Sequence, residues 1–158
     1  ESGFSSLFEN RYWLIINEKE TDQTKKLATF FEKLGSIVEN VNAEYHDKIL
    51  AITSHLPHLI AYTIVGTASD LETDLKNDVI KFSASGFRDF TRLAASDPIM
   101  WRDIFLNNSD AVLEMLQRFN EDLSDLQKTI RKKEGQKLHS FFSRTRSIRK
   151  KIIEAGQN

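Results

Sequence analysis

The sequence predicts a mainly all-α domain preceded by a short α/β segment, and three observations carry that reading. Proline and glycine are scarce, 2 and 6 in 158 residues, so few positions force a turn, and the chain is rich in good helix formers such as Leu, Lys and Glu. Apolar residues in the last third recur at alternating steps of four and three, the period of a helical face. Residues 1 to 42 read differently, with two short apolar runs of strand character around one helix.

Residues 12 to 16 (YWLII) form the first strand, and the polar stretch 17 to 22 leads into a helix capped by Thr21 or Asp22. That helix carries Leu27, Phe30, Phe31 and Leu34 on one stripe, and Gly35 ends it. Residues 36 to 41 give a second strand; two strands alone bury little, so residues 1 to 42 read as a remnant of a larger α/β domain. Residues 43 to 65 form a long helix with a bend at Pro57, whose missing N–H frees the carbonyl of Thr53, and Gly66 ends it. Ser69 and Glu72 make a capping box for a short helix. Ser83, Ser85 and Gly86 make a turn into residues 87 to 95, and Asp97–Pro98 supplies an N-cap and an N1 proline for a helix through Phe105. Val112, Leu116, Phe119, Leu123, Leu126 and Ile130 mark a heptad seam on a helix over 108 to 133, broken by Gly135. Leu138, Phe141, Thr145, Ile148 and Ile152 repeat it on a last helix that frays at Gly156. Two such helices joined by a short turn are expected to pack antiparallel, with a homodimer burying what remains exposed.

Composition narrows the function. A formal net charge of -1 gives no overall field for nucleic acid, and the basic run 144 to 151 reads as a solvated helix face. The absence of cysteine removes thiolate chemistry and disulfides and fits a cytoplasmic location. No apolar run approaches the roughly 20 residues that span a bilayer, so no membrane is expected. The chain opens on Glu1 rather than Met, as a processed product, an engineered piece or part of something longer would.

Few residues invite chemistry. His55 and His58 lie three apart beside Pro57; from the residues alone they read first as partly buried polar side chains held by hydrogen bonds. A metal centre needs three or four ligands, and with His46 nine positions upstream and no cysteine, none is expected. Arg88 and Arg92 share a helical face, which is mildly unfavourable unless Asp89 offsets one or an anion is bound. With Ser85 and Gly86 at the helix start they make a candidate carboxylate or phosphate receptor, although a surface ion-pair cluster looks the same.

Three segments carry a resemblance. HDKILAITSHLPH (46 to 58), GFRDFTRLAASD (86 to 97) and PIMWRDI (98 to 104), in this order, resemble the signatures of the prephenate/arogenate dehydrogenase family, and the opening ESGF (1 to 4) looks like the stretch just after that family's catalytic histidine segment. The resemblance implies a helical dimerisation domain of the 6-phosphogluconate-dehydrogenase C-terminal-like type over 43 to 158, with 1 to 42 as the end of a Rossmann domain. It implies a homodimer, prephenate or arogenate as substrate, and NAD or NADP in the parent enzyme. By position, Arg92 matches the arginine that holds a substrate carboxylate and His58 a histidine lining the substrate site. His55 is its supporting neighbour, and Ser54, Ser85 and Gly86 shape the pocket. Asp89, Trp101 and Asp103 are expected to hold the arginine-bearing segment in place. The family's catalytic histidine is expected upstream of residue 1, and no GxGxxG occurs, so the chain alone is expected to bind no nicotinamide cofactor and to catalyse nothing. Two other readings remain: a non-catalytic helical dimerisation module, and the dimerisation domain of another Rossmann-type dehydrogenase.

Overall fold

The computed structural model describes residues 3, 4, 6–71 and 73–154. Glu1 and Ser2 of the ESGF motif, Glu72 of the expected capping box and the fraying point Gly156 lie outside the described residues. The chain divides into two compact units, one ending at Val112 and one starting at Leu113.

The first unit opens with a parallel β–α–β element: β1 (Tyr12–Ile16), α1 (Asp22–Lys33) and β2 (Ile37–Val41), with Tyr12 opposite Ile37 and Ile16 opposite Val41. Thr21 caps α1 reciprocally. Its hydroxyl accepts from the Thr24 N–H at 3.2 Å, and its own N–H donates to the Thr24 hydroxyl at 2.8 Å. Gly35 closes the helix at φ +89°, donating to Glu32 O at 2.9 Å while Ser36 N–H reaches Phe31 O at 3.1 Å, a Schellman pattern. Of the expected α1 stripe only Phe31 is buried, stacked on Trp13 at 3.6 Å; Leu27, Phe30 and Leu34 are exposed. Two strands cover one side chain of that helix and not four.

The helical part starts with α2 (Ala43–Leu50), capped by Asn42, whose Oδ1 accepts from the Tyr45 N–H at 2.8 Å. A π-helical turn (Ala51–His55) follows, then α3 (Leu56–Ser69). The bend expected at Pro57 is therefore a widened turn just before it. The Leu56 N–H bonds the carbonyl of Ala51, five residues back, and Pro57, which has no N–H to give, follows directly after this widened turn. Gly66 does not end the helix. It keeps a helical backbone, and its carbonyl accepts from Asp70 N–H at 3.1 Å and the Ser69 hydroxyl at 2.8 Å. Ala43–Ser69 is thus one continuous helical stretch of 27 residues, by length and composition long and apolar enough to cross a membrane. The helix expected over 43 to 65 runs on to Ser69.

The remaining helices of this unit are α4 (Thr73–Lys81), α5 (Ser85–Ala94) and α6 (Pro98–Asn107), with the start of α7 (Ser109–Arg131). Ser85 and Gly86 are the first residues of α5 and not a turn before it; the break falls at Ala84, which is extended, and at Ser83, whose hydroxyl donates to Val79 O at 2.6 Å. Asp97 caps α6 as expected, accepting from Ile99 and Met100 N–H, both at 2.8 Å. α5 packs on α3, and Tyr62 of α3 donates to Ser96 O at 2.8 Å.

In the second unit the rest of α7 turns into α8 (Gly135–Glu154). The breaker is Lys133 (φ +56°), whose N–H bonds Ile130 O at 2.9 Å while Glu134 N–H bonds Thr129 O at 3.1 Å; Gly135 already belongs to α8. The helices run back along each other, since Asp122, Leu126 and Thr129 share a cleft of about 360 Å³ with Arg144, Phe141 and Lys137. The two seams are covered only in part: Leu126, Leu138 and Phe141 are half-buried, while Leu123, Ile130, Ile148 and Ile152 stay exposed.

Candidate functional site

The π-helical turn and the start of α3 place Ser54, His55 and His58 together. His58 lies flat on the Trp101 indole, ring centroids 3.7 Å apart and 20° between planes, and its Nδ1 is 2.9 Å from the Ser54 carbonyl. A carbonyl can only accept, so Nδ1 carries a proton. Trp101 is buried, meets His55 edge-on at 6.1 Å and leans on Phe105 at 5.5 Å. Its Nε1 is buried and finds no hydrogen-bond partner among the described residues.

His55 is the buried member of the pair. Burial disfavours its charged form and pulls its pKa below the ordinary histidine value of 6.5; His46 and His58 add to this and Asp47 opposes it. Its Nδ1 lies 3.2 Å from Nδ2 of Asn108, which also donates to the Asp47 carbonyl at 2.9 Å. The Asp47 carboxylate meets His46 Nδ1 at 2.9 Å. Asn108 was not among the residues expected at this site. In sequence it is one of two adjacent asparagines at a helix junction, where a cap is the ordinary reading.

The arginine-bearing helix is a separate wall. Ser85 and Gly86 open α5 and Arg92 lies in its last turn, all exposed, so the expected receptor is spread over about 10 Å of one helical face. The guanidinium groups of Arg88 and Arg92 and the carboxylate of Asp89 make no ion pair among the described residues. Trp101 contacts the histidines, and Asp103 accepts from Arg102 Nε at 2.7 Å. Among the described residues no group of three His, Asp or Glu is placed to hold a metal ion.

The helical part of the chain, residues 42–144, matches the family model for the prephenate dehydrogenase dimerization domain. The chain belongs to the prephenate dehydrogenase family. Over 151 residues it is 36% identical to cyclohexadienyl dehydrogenase of Zymomonas mobilis, covering 94% of this chain and 52% of that protein. It is 29% identical to prephenate dehydrogenase of Bacillus subtilis, over 90% of this chain and 39% of that one. The fold superposes on Aquifex aeolicus prephenate dehydrogenase solved with hydroxyphenyl propionate and NAD+ (TM-score 0.84, 33% identity, 93% of this chain and 52% of that one). It also superposes on Synechocystis arogenate dehydrogenase (TM-score 0.83, 25% identity, 93% and 54%). The chain thus spans about half the length of these relatives, or less.

The family's dehydrogenases use a nicotinamide dinucleotide, and the residues present do not fit one. The link from β1 to α1 (17 to 21) holds no glycine, and no GxGxxG turn that would receive a pyrophosphate occurs in the sequence.

Proposed function

We propose that this chain is the helical, substrate-holding and dimer-forming part of a cytoplasmic dehydrogenase that oxidises prephenate or arogenate with NAD or NADP. Residues 43–158 are read as the dimerisation domain and residues 1–42 as the end of a Rossmann domain. In the reaction of such an enzyme, hydride leaves the ring carbon bearing the hydroxyl, and loss of CO2 aromatises the ring to 4-hydroxyphenylpyruvate or tyrosine. The observation that carries the reading is His58, fixed between the Ser54 carbonyl and the Trp101 ring on a helix against which α5 packs. That arrangement presents a histidine and an exposed guanidinium, Arg92, from two adjacent helices. A planar guanidinium takes a carboxylate through two parallel hydrogen bonds, which suits a dicarboxylate substrate. Ser54, Ser85, Gly86 and His55 shape and support the pocket, and Asp89, Trp101 and Asp103 brace it. The exposed seams of α7 and α8 and the apolar stretch Ala43–Ser69 are read as surface that a second copy covers.

The test is steady-state kinetics of the full-length protein. Arg92→Ala removes a charge-assisted contact of about 1.5–3 kcal/mol, so kcat/KM for prephenate or arogenate is expected to fall about 10- to 100-fold, mainly through KM. His58→Ala is expected to lower kcat/KM as well, and the 158-residue chain alone to give no turnover. Unchanged kcat/KM in both variants, with the fold intact, would leave a dimerisation module without a substrate role.

A further inference from the structure

We propose that Asn108 is a positioning residue of the histidine cluster, its carboxamide fixing which nitrogen of His55 carries the proton. The proposal deepens the functional reading of this site, and its geometry stands without it.

One atom of Asn108 makes both contacts. Nδ2 lies 2.9 Å from the backbone carbonyl of Asp47 and 3.2 Å from Nδ1 of His55. A peptide carbonyl has no hydrogen to give, so the group facing it must be the NH2 end of the amide; this settles the orientation of the carboxamide. The second hydrogen of that NH2 then faces His55 Nδ1, which must accept. His55 is thereby held neutral with its proton on Nε2. Its neighbour His58 is set the opposite way, because the Ser54 carbonyl requires a proton on its Nδ1. Two histidines three residues apart are therefore hydrogen-bonded in opposite senses at Nδ1, one accepting there and one donating, and are not interchangeable rings.

Among the described residues Asn108 is the side chain that hydrogen-bonds His55. The titratable groups acting on His55 are His46, Asp47 and His58. The Asp47 carboxylate is engaged by His46, and the nitrogen of His58 that is hydrogen-bonded is taken by Ser54. Trp101 meets His55 through its ring edge and shares no hydrogen bond with it. Asn108 reaches His55 from the α6–α7 junction, 53 residues away in sequence, so the histidine's state depends on how that junction is seated on α2.

The experiment is long-range ¹H–¹⁵N correlation of the ring nitrogens in uniformly ¹⁵N-labelled protein at neutral pH. The expected spectrum has His55 protonated on Nε2 and bare on Nδ1, with His58 reversed. In Asn108→Asp the new carboxylate accepts where the amide donated, so the His55 proton is expected on Nδ1, with His58 unchanged as internal control. If that variant fails to fold, Asn108→Ala takes its place, and an Nδ1–H population at His55 is expected to appear. Wild-type His55 carrying its proton on Nδ1 overturns the proposal. So does a folded Asn108→Asp or Asn108→Ala protein that keeps the proton wholly on Nε2. Because the readout needs no substrate, unchanged kcat/KM in the Arg92 and His58 variants would sink the functional reading while leaving this result standing.

Discussion

Trp101 offers the sharpest energetic test of the cluster. It is 6% exposed, carries His58 on its face at 3.7 Å, and holds a buried N–H with no partner among the described residues. Truncation to alanine removes the platform and leaves a cavity, a change that costs about 3–5 kcal/mol for a buried aromatic. Replacement by phenylalanine has two opposed effects. The smaller ring forfeits part of the packing, roughly 1–3 kcal/mol at about 25 cal/mol per Å². It also removes an unpaired buried donor, whose desolvation penalty is about 1–3 kcal/mol. The two nearly cancel, so Trp101→Phe is expected within about 1 kcal/mol of the parent and Trp101→Ala well below it. Urea unfolding followed by far-UV circular dichroism measures both, at one fixed chain concentration because association adds to apparent stability. A Trp101→Phe loss close to the Trp101→Ala loss would refute the reasoning, since it would mean that Nε1 makes a stabilising hydrogen bond in solution.

Stability is expected to fall on acidification through His55. Its folded pKa lies below the unfolded value of 6.5, so the unfolded chain binds the proton more tightly. The contribution is complete above about pH 6.5 and is lost as pH drops from there toward the folded value, about 1.4 kcal/mol for each tenfold difference in proton affinity. Urea midpoints between pH 7.5 and 5.5 should fall less steeply in His55→Gln than in the parent, and equal slopes would contradict this. At the two left-handed helix ends opposite outcomes are expected. Gly35→Ala forces a Cβ to φ +89° and to 3.1 Å from Glu9 Cγ, destabilising by about 1–2 kcal/mol. Lys133→Gly relieves φ +56° and should stabilise by up to about 1 kcal/mol. Thermal melts of the two variants separate them by sign.

Several features were legible in the sequence because their causes are local. The cap at Thr21, the Schellman glycine at Gly35 and the Asp97–Pro98 start of α6 depend on side chains within a few residues of the backbone they serve. The order of SHLPH, FRDFTR and MWRDI carried the family. What the tertiary structure alone decided rests on contacts distant in sequence or on competition between neighbours. Pro57 and Gly66 look like breaks, yet the helix absorbs one as a π turn and runs through the other, since neither forces a left-handed backbone. Lys133, a poor candidate by residue type, takes the left-handed position two residues before the glycine expected there. The periodicity of α7 and α8 marked an apolar seam but not what covers it, because a repeat records which residues avoid water and not which surface they meet. Asn108 was invisible for the same reason. Its meaning lies in a carbonyl 61 residues away and an imidazole 53 residues away, and only the folded chain brings those three groups within hydrogen-bonding distance.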